Sequence, residues 1–140
     1  MNHTTPIQTA SRWSGALRRK IAGSPEFETW LEQAAQEPVT PARIDQWFLY
    51  AIQAESTDDI VPLDTLRKVR TQVFYTVLVR DLAKLADLKE VVQAMSHLAD
   101  LAIAQAYRTV ATELAELHGT PIDPATGKPQ EMLILAMGKL

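Results

Sequence analysis

Between Pro62 and Gly119 the chain holds helical apolar spacing through two long stretches, and this limits the fold more than any other feature. In the first, Leu66, Val69, Val73 and Val77 recur at helical intervals, as do Phe74, Leu78, Leu82 and Leu85. The spacing predicts one helix from about Leu63 to Ala86, although the β-branched and aromatic run Val73 to Val79 would alone suit a strand. Asp87 followed by Glu90 reads as a capping box opening a second helix that runs to about His118. One stripe there is Leu88, Val91, Val92, Met95, Leu98, Ala99, Ala102 and Ala106; another is Ile103, Tyr107, Val110, Leu114 and Leu117. Two stripes imply that several partners cover this helix.

The preceding segment predicts shorter helices. One spans about Thr9 to Ala22, after a loose terminus over residues 1–8, and docks through Trp13, Leu17 and Ile21. Ser24 and Pro25 start the next, with Phe27, Trp30, Leu31 and Ala34 as its apolar face and Pro38 as its stop. Thr40 and Pro41 repeat the device ahead of Ile44, Trp47, Phe48, Ala51 and Ile52. A polar connection covers Ala54 to Pro62. The loop "TPIDPATGKPQ" follows the long pair, and "EMLILAM" reads as a short buried strand. The expected organisation is a short-helix region at 1–62, a long-helix pair at 63–119, and a loop with a strand at 120–140. The 140 residues suit one domain with a continuous core.

Composition removes several classes of function. The chain has no cysteine, which excludes disulfides and thiolate metal sites. A net charge of −3 gives no global nucleic-acid footprint, and no apolar run reaches the roughly 20 residues of a membrane span. Before Glu26 the chain is basic and without acid, through Arg12, Arg18, Arg19 and Lys20. Two readings fit: a docked basic helix, or an organelle-targeting composition.

Candidate chemistry is sparse. Lys128 and Lys139 each follow a glycine, but neither context has the first glycine or the Ser/Thr of a Walker loop. His3, His97 and His118 are isolated in sequence, with only Asp100 one turn from His97. Arg67 and Arg70 lie one turn apart, as a solvated face or as contacts to phosphate or an acidic partner. No nucleophile–base set or paired carboxylate motif is present.

Three stretches together carry a resemblance. "LRKVRTQVFYTVLVRDLAKLADLKEVVQAMSHLADLAI" is similar to the long-helix region of the glutamine synthetase adenylyltransferase family, "LRxFRxRxxxRIAWxDL" leading into "xxLSxLADxxI". "HGTP" and "MLILAMGKL" resemble that family's "GTP" and "LLILGMGKL". The likeness is close from Leu66 to Leu140 and looser before it; "SPEFETWL" also has the look of the family's N-terminal region. Ala136 stands where the family has Gly, while Gln72, Tyr75 and Val77-Leu78 depart from its basic and "AW" positions.

The resemblance implies a mainly α fold, a bundle of about five helices ending in the first β-strand of a truncated polymerase β-type nucleotidyltransferase domain. Gly138 and Lys139 would lie at nucleotide or phosphate, Arg67 and Arg70 would be basic contacts, and the Asp-x-Asp that binds Mg2+ would follow Leu140. It implies the N-terminal of two catalytic halves, in keeping with Met1 at the start. That half would use phosphate to remove AMP from a tyrosine of glutamine synthetase as ADP. The other half would attach AMP from ATP, under control of the PII signalling protein, in the bacterial cytoplasm. The fragment itself would be inactive and bind no metal. The alternative from another class is a non-enzymatic helical module that binds a protein partner.

Overall fold

The computed structural model describes residues 4–55 and 63–137. It is mainly helical, with six helices among the described residues: α1 Pro6–Trp13, α2 Gly15–Ala22, α3 Pro25–Ala34, α4 Pro41–Glu55, α5 Leu63–Leu82 and α6 Leu88–His118.

The expected helix over Thr9 to Ala22 is in fact two. Thr5 and Gln8 form a reciprocal capping box with Pro6 in the first turn, so α1 starts within the stretch expected to be loose. Ser14 then leaves helical geometry at φ −119° and ψ 107°, and its Oγ accepts the Leu17 N–H to start α2. The break separates the anticipated face: Leu17 is fully buried, whereas Trp13 is 78% exposed. Ile7 and Ala10 provide the buried side of α1 instead. Downstream, Ser24 caps α3 by accepting the Phe27 N–H, and Thr40 Oγ1 accepts from Arg43 N at 3.3 Å. Helix α4 continues through Ala54 and Glu55, the first two residues of the expected polar connection, and residues 56–62 lie outside the described residues.

Helix α5 is the axis of the bundle, packing against α1, α3, α4 and α6. Its strand-like run is helical because it is enclosed on more than one side: Val69, Val73 and Val77 enter one core cluster and Val79 the other. Tertiary burial outweighs the modest helix penalty of β-branching. The first cluster joins them to Val39, Ile44, Phe48 and Ala51 and to Ala94 and Leu98 of α6. The second joins Val79 to Ile7, Ala10, Leu17, Leu31 and Ala35.

α5 stops at Leu82, four residues before the predicted end at Ala86. Lys84 adopts φ 61°, Leu85 N–H donates to the Arg80 carbonyl at 2.7 Å, and Lys84 N–H donates to the Asp81 carbonyl at 3.0 Å. This is a Schellman stop in which lysine occupies the position glycine fills at least cost. Lys84→Gly is therefore expected to stabilise the fold by about 0.5–1 kcal/mol, read as a higher urea midpoint at unchanged slope.

Asp87 opens α6 as expected, accepting the Glu90 N–H at 2.8 Å. The second half of the predicted box is replaced: the Glu90 carboxylate receives Arg80 and the Val39 N–H. At its far end Gly119, at φ 82°, terminates the helix. The predicted strand is not formed, since Met132–Met137 has no strand assignment and every residue there is exposed. A β-strand satisfies its backbone through a neighbouring strand, and the described residues contain only an isolated bridge, Ile122 to Pro129. No helix among the described residues is long and apolar enough to cross a membrane.

Candidate functional site

Three regions are arranged around α5 and α6. The first is a buried clamp where α3, α4, α5 and α6 converge. Arg80, 4% exposed, donates from Nε to Glu90 Oε1 at 2.6 Å and from Nη2 to Glu90 Oε2 at 3.0 Å. Its Nη1 reaches the Ala35 carbonyl at 2.9 Å and Nη2 the Leu85 carbonyl at 3.0 Å. Glu90 Oε1 also accepts the Val39 N–H at 2.9 Å. Burial pushes the Glu90 carboxyl upward, but the hydrogen bonds from Arg80 and Val39 and the Arg80 charge outweigh it. The carboxyl is held below its ordinary range. The bidentate fork fixes where α6 leaves the bundle.

The second region is that departure. α6 meets α4 and α5 near its start, and His97 Nε2 lies 2.7 Å from Asp45 Oδ1. Asp45 of α4, rather than Asp100 on its own helix, is thus the acid at His97. Farther along, Ile103, Val110, Leu114 and Leu117 are exposed, the last at 76%. They belong to the second predicted stripe, of which Tyr107 is partly covered by the tail and the other residues stay substantially exposed. Beside it the segment from Gly119 folds back: Gln130 N–H donates to the Pro121 carbonyl at 2.8 Å and Asp123 N–H to the Lys128 carbonyl at 2.9 Å. Gly127 takes φ 68° at the tip. Hydrogen bonds from Thr126 Oγ1 and the Ala125 N–H hold the exposed Asp123 carboxyl below its usual range. A groove of about 640 Å3 separates this loop from α6, lined by Tyr107, Leu114, Pro121 and Met132 among others. Met132 N–H donates to the Tyr107 hydroxyl at 3.1 Å. Met137 ends the described tail 91% exposed.

The third region is the basic turn of α5. Arg67 and Arg70 are both exposed, and Arg67 Nη1 pairs with Asp64 at 2.9 Å. Arg67 also lines a groove with Lys20 of α2 and with Phe27 and Trp30 of α3. Gly138 and Lys139, the expected phosphate contacts, lie outside the described residues. Among the described residues there is no group of three or more His, Cys, Asp or Glu side chains placed to hold a metal ion.

Sequence reasoning missed the Arg80–Glu90 clamp. The signal was available, because Arg80 sits at i+4 from Thr76 and i+7 from Val73, both fully buried. An arginine in the core register of a helix requires a buried partner.

The described residues form a mainly helical bundle that leaves much of the outer half of α6 and the tail Met132–Met137 exposed. Comparison with known sequences gives it a family. The sequence model for glutamate-ammonia ligase adenylyltransferase matches residues 4–140, and the chain belongs to that family. A bifunctional glutamine synthetase adenylyltransferase/adenylyl-removing enzyme of Bordetella pertussis is 44% identical over 144 residues, covering 100% of this chain. Proteins of the same description from Chromobacterium violaceum and Ralstonia nicotianae are 32% and 34% identical over 99% and 93% of the chain. The chain spans about 15% of the length of the first two of these relatives and 13% of the third. No solved structure matches it.

Proposed function

We propose that this chain is the N-terminal helical part of an enzyme that controls glutamine synthetase by reversible adenylylation, and that it leads into the adenylyl-removing half. In that reaction a phosphate oxygen bonds to the phosphorus of the AMP–tyrosine linkage, the bond from phosphorus to the tyrosine oxygen breaks, and that oxygen takes a proton. ADP and the unmodified tyrosine result. Transfer of AMP from ATP belongs to the other half, and the PII protein sets the balance between them in the bacterial cytoplasm.

The observation that carries this reading is the family match over residues 4–140, joined to relatives whose descriptions name both activities. The exposed apolar run Met132–Met137 supports it further. Such a run suits the first strand of a sheet completed by the rest of the protein. On this reading Gly138 and Lys139 form the phosphate-facing turn, residues 120–140 open the nucleotidyltransferase domain, and its metal-binding carboxylates lie beyond Leu140.

The test is phosphorolysis of adenylylated glutamine synthetase with magnesium and phosphate. A protein extended to the full length of the relatives should release ADP, and the 140-residue chain should release none. ADP from the chain alone would overturn the division of labour. A long protein that transfers AMP but never releases ADP would overturn the choice of half only if its second half had been disabled.

A further inference from the structure

All six large apolar side chains of α6 that stand exposed fall on one face of it: Leu88, Val92, Ile103, Val110, Leu114 and Leu117. At 100° per residue they lie within about 80° of one another round the helix. Ala99 and Ala106 continue the line between them. This is not the face that Ala94 and Leu98 bury in the bundle. It runs from the first residue of α6 to the last but one, a length of about 44 Å at 1.5 Å per residue. The spacing follows the 3.6-residue turn rather than a seven-residue repeat, so the stripe runs straight along the axis instead of winding round it.

The length and the charge of this stripe select what covers it. A strand of ordinary length spans about 17–20 Å, less than half of it, whereas a helix of about 30 residues matches it end to end. A membrane surface is a poor match. The charged residues of α6 are Lys89 and Arg108 against Glu90, Asp100, Glu113 and Glu116, an acidic set, while helices that lie on anionic lipid are rich in Lys and Arg. A helix tied to the same chain has the advantage over a second copy, because a tether raises its effective concentration to the millimolar range. The chain also continues from beside the stripe: Met132 N–H donates to the Tyr107 hydroxyl at 3.1 Å, level with the stretch between Ile103 and Val110. Since the chain spans 15% of the length of its Bordetella pertussis relative, most of the family's length is available to supply the helix.

We propose that in the whole protein one long α-helix from the sequence following Leu140 lies along α6 from Leu88 to Leu117, with its own apolar face against this stripe. The proposal rests on the reading of the chain as the N-terminal part of a longer enzyme. Such a helix supports α6 beyond Leu101, where packing against the core cluster ends. It thereby steadies the segment that leads to Gly138 and Lys139.

The test compares the 140-residue chain with a protein extended to the full length of the relatives. The chain has no cysteine, so Val92→Cys, Ile103→Cys and Leu117→Cys each give it a single thiol, and peptide mass spectrometry locates the same thiol in the longer protein. All three should react readily with iodoacetamide in the chain and about tenfold more slowly in the longer protein. Glu116→Cys, exposed on another face, should react alike in both. Photo-leucine, close to leucine in shape, tests the geometry without any substitution. It should crosslink Leu88 and Leu117 of the longer protein to two points about 29 residues apart in one segment beyond Leu140, the spacing of a helix running alongside. Free reaction at any of the three heights, slowing at Glu116→Cys as well, or crosslinks from the two leucines to separate segments would each overturn the proposal. So would a dimer of the 140-residue chain, seen by light scattering, that protects the same thiols, because the occupant would then be a second copy. ADP release by the longer protein reads the proposed activity separately. ADP with freely reacting thiols removes the helix and leaves that activity standing; protected thiols and paired crosslinks without ADP do the reverse.

Discussion

Arg80→Ala should lower the stability of the chain by about 3–5 kcal/mol, because it leaves Glu90 as an unpaired charge in a poorly hydrated site. The same change deprives the Ala35 and Leu85 carbonyls of their donor. Removing both charges in Arg80→Met/Glu90→Leu eliminates the lone carboxylate, so the loss should shrink. It should not vanish, because the Val39 N–H loses its acceptor and each orphaned buried group costs about 1–3 kcal/mol. Chemical denaturation of the two variants beside the parent chain gives the comparison. An effect of Arg80→Ala below about 1 kcal/mol would mean that the fork is no stronger than a surface pair.

The clamp also predicts the acid limb of stability. Glu90 has its pKa depressed in the folded state, so the folded form favours the ionised carboxyl. Its contribution is complete above the unfolded value of about 4.3 and is lost as pH falls through the lower folded value. The parent chain should therefore lose melting temperature on acidification below about pH 4.3. The double variant should lose less over the same interval.

Ile44→Ala is the second large effect, at about 2–5 kcal/mol, since Ile44 is fully buried in the cluster joining α4, α5 and α6. The matched change on the half-exposed face, Leu114→Ala, should cost no more than about 1 kcal/mol in this chain. Both substitutions remove the same side-chain atoms from leucine isomers, so the contrast isolates enclosure. Urea midpoints for the pair would measure it. A large loss at Leu114 would mean that the outer half of α6 has a partner within the chain.

Local devices made much of this fold readable. Ser24, Thr40 and Asp87 each cap the helix they were expected to start. The apolar faces of α3 and α4 point inward largely as their spacing requires, through Leu31, Ala34, Ile44, Phe48 and Ala51. The misses arose where one local signal stood against a longer pattern. At Ser14 a cap followed by glycine interrupts a run that keeps its apolar period, and the period hid the break. At Lys84 the stop uses a residue with no turn preference, so only the Arg80 and Asp81 carbonyls reveal it. Met132–Met137 has the composition of a strand, but composition supplies no neighbour to pair with.

The candidate site was legible only in part. Arg67 and Arg70 were marked by their spacing, and the structure gives only Arg67 a place in the aromatic groove. Lys20 and Gln72 could not be linked to it beforehand, since only tertiary packing brings α2 beside α5. Glu90 was recognised as a helix-start residue, yet its carboxylate serves an arginine ten positions away. Family likeness placed the phosphate contacts at Gly138 and Lys139, outside the described residues.

Helix α6 has 31 residues, which at 1.5 Å of rise each makes a rod about 46 Å long. Its third residue, Glu90, is gripped by Arg80, and among the described residues its far end meets only the loop that follows it. A rod held over its first third converts angle into travel: a tilt of about 5° there sweeps the tip, about 30 Å beyond Leu98, by about 3 Å. The apolar tail after Gly119 hangs from that tip. Its position in space is therefore set by contacts made in the first half of the helix, the Arg80–Glu90 pair and the packing of Ala94 and Leu98, and errors in aim there arrive multiplied.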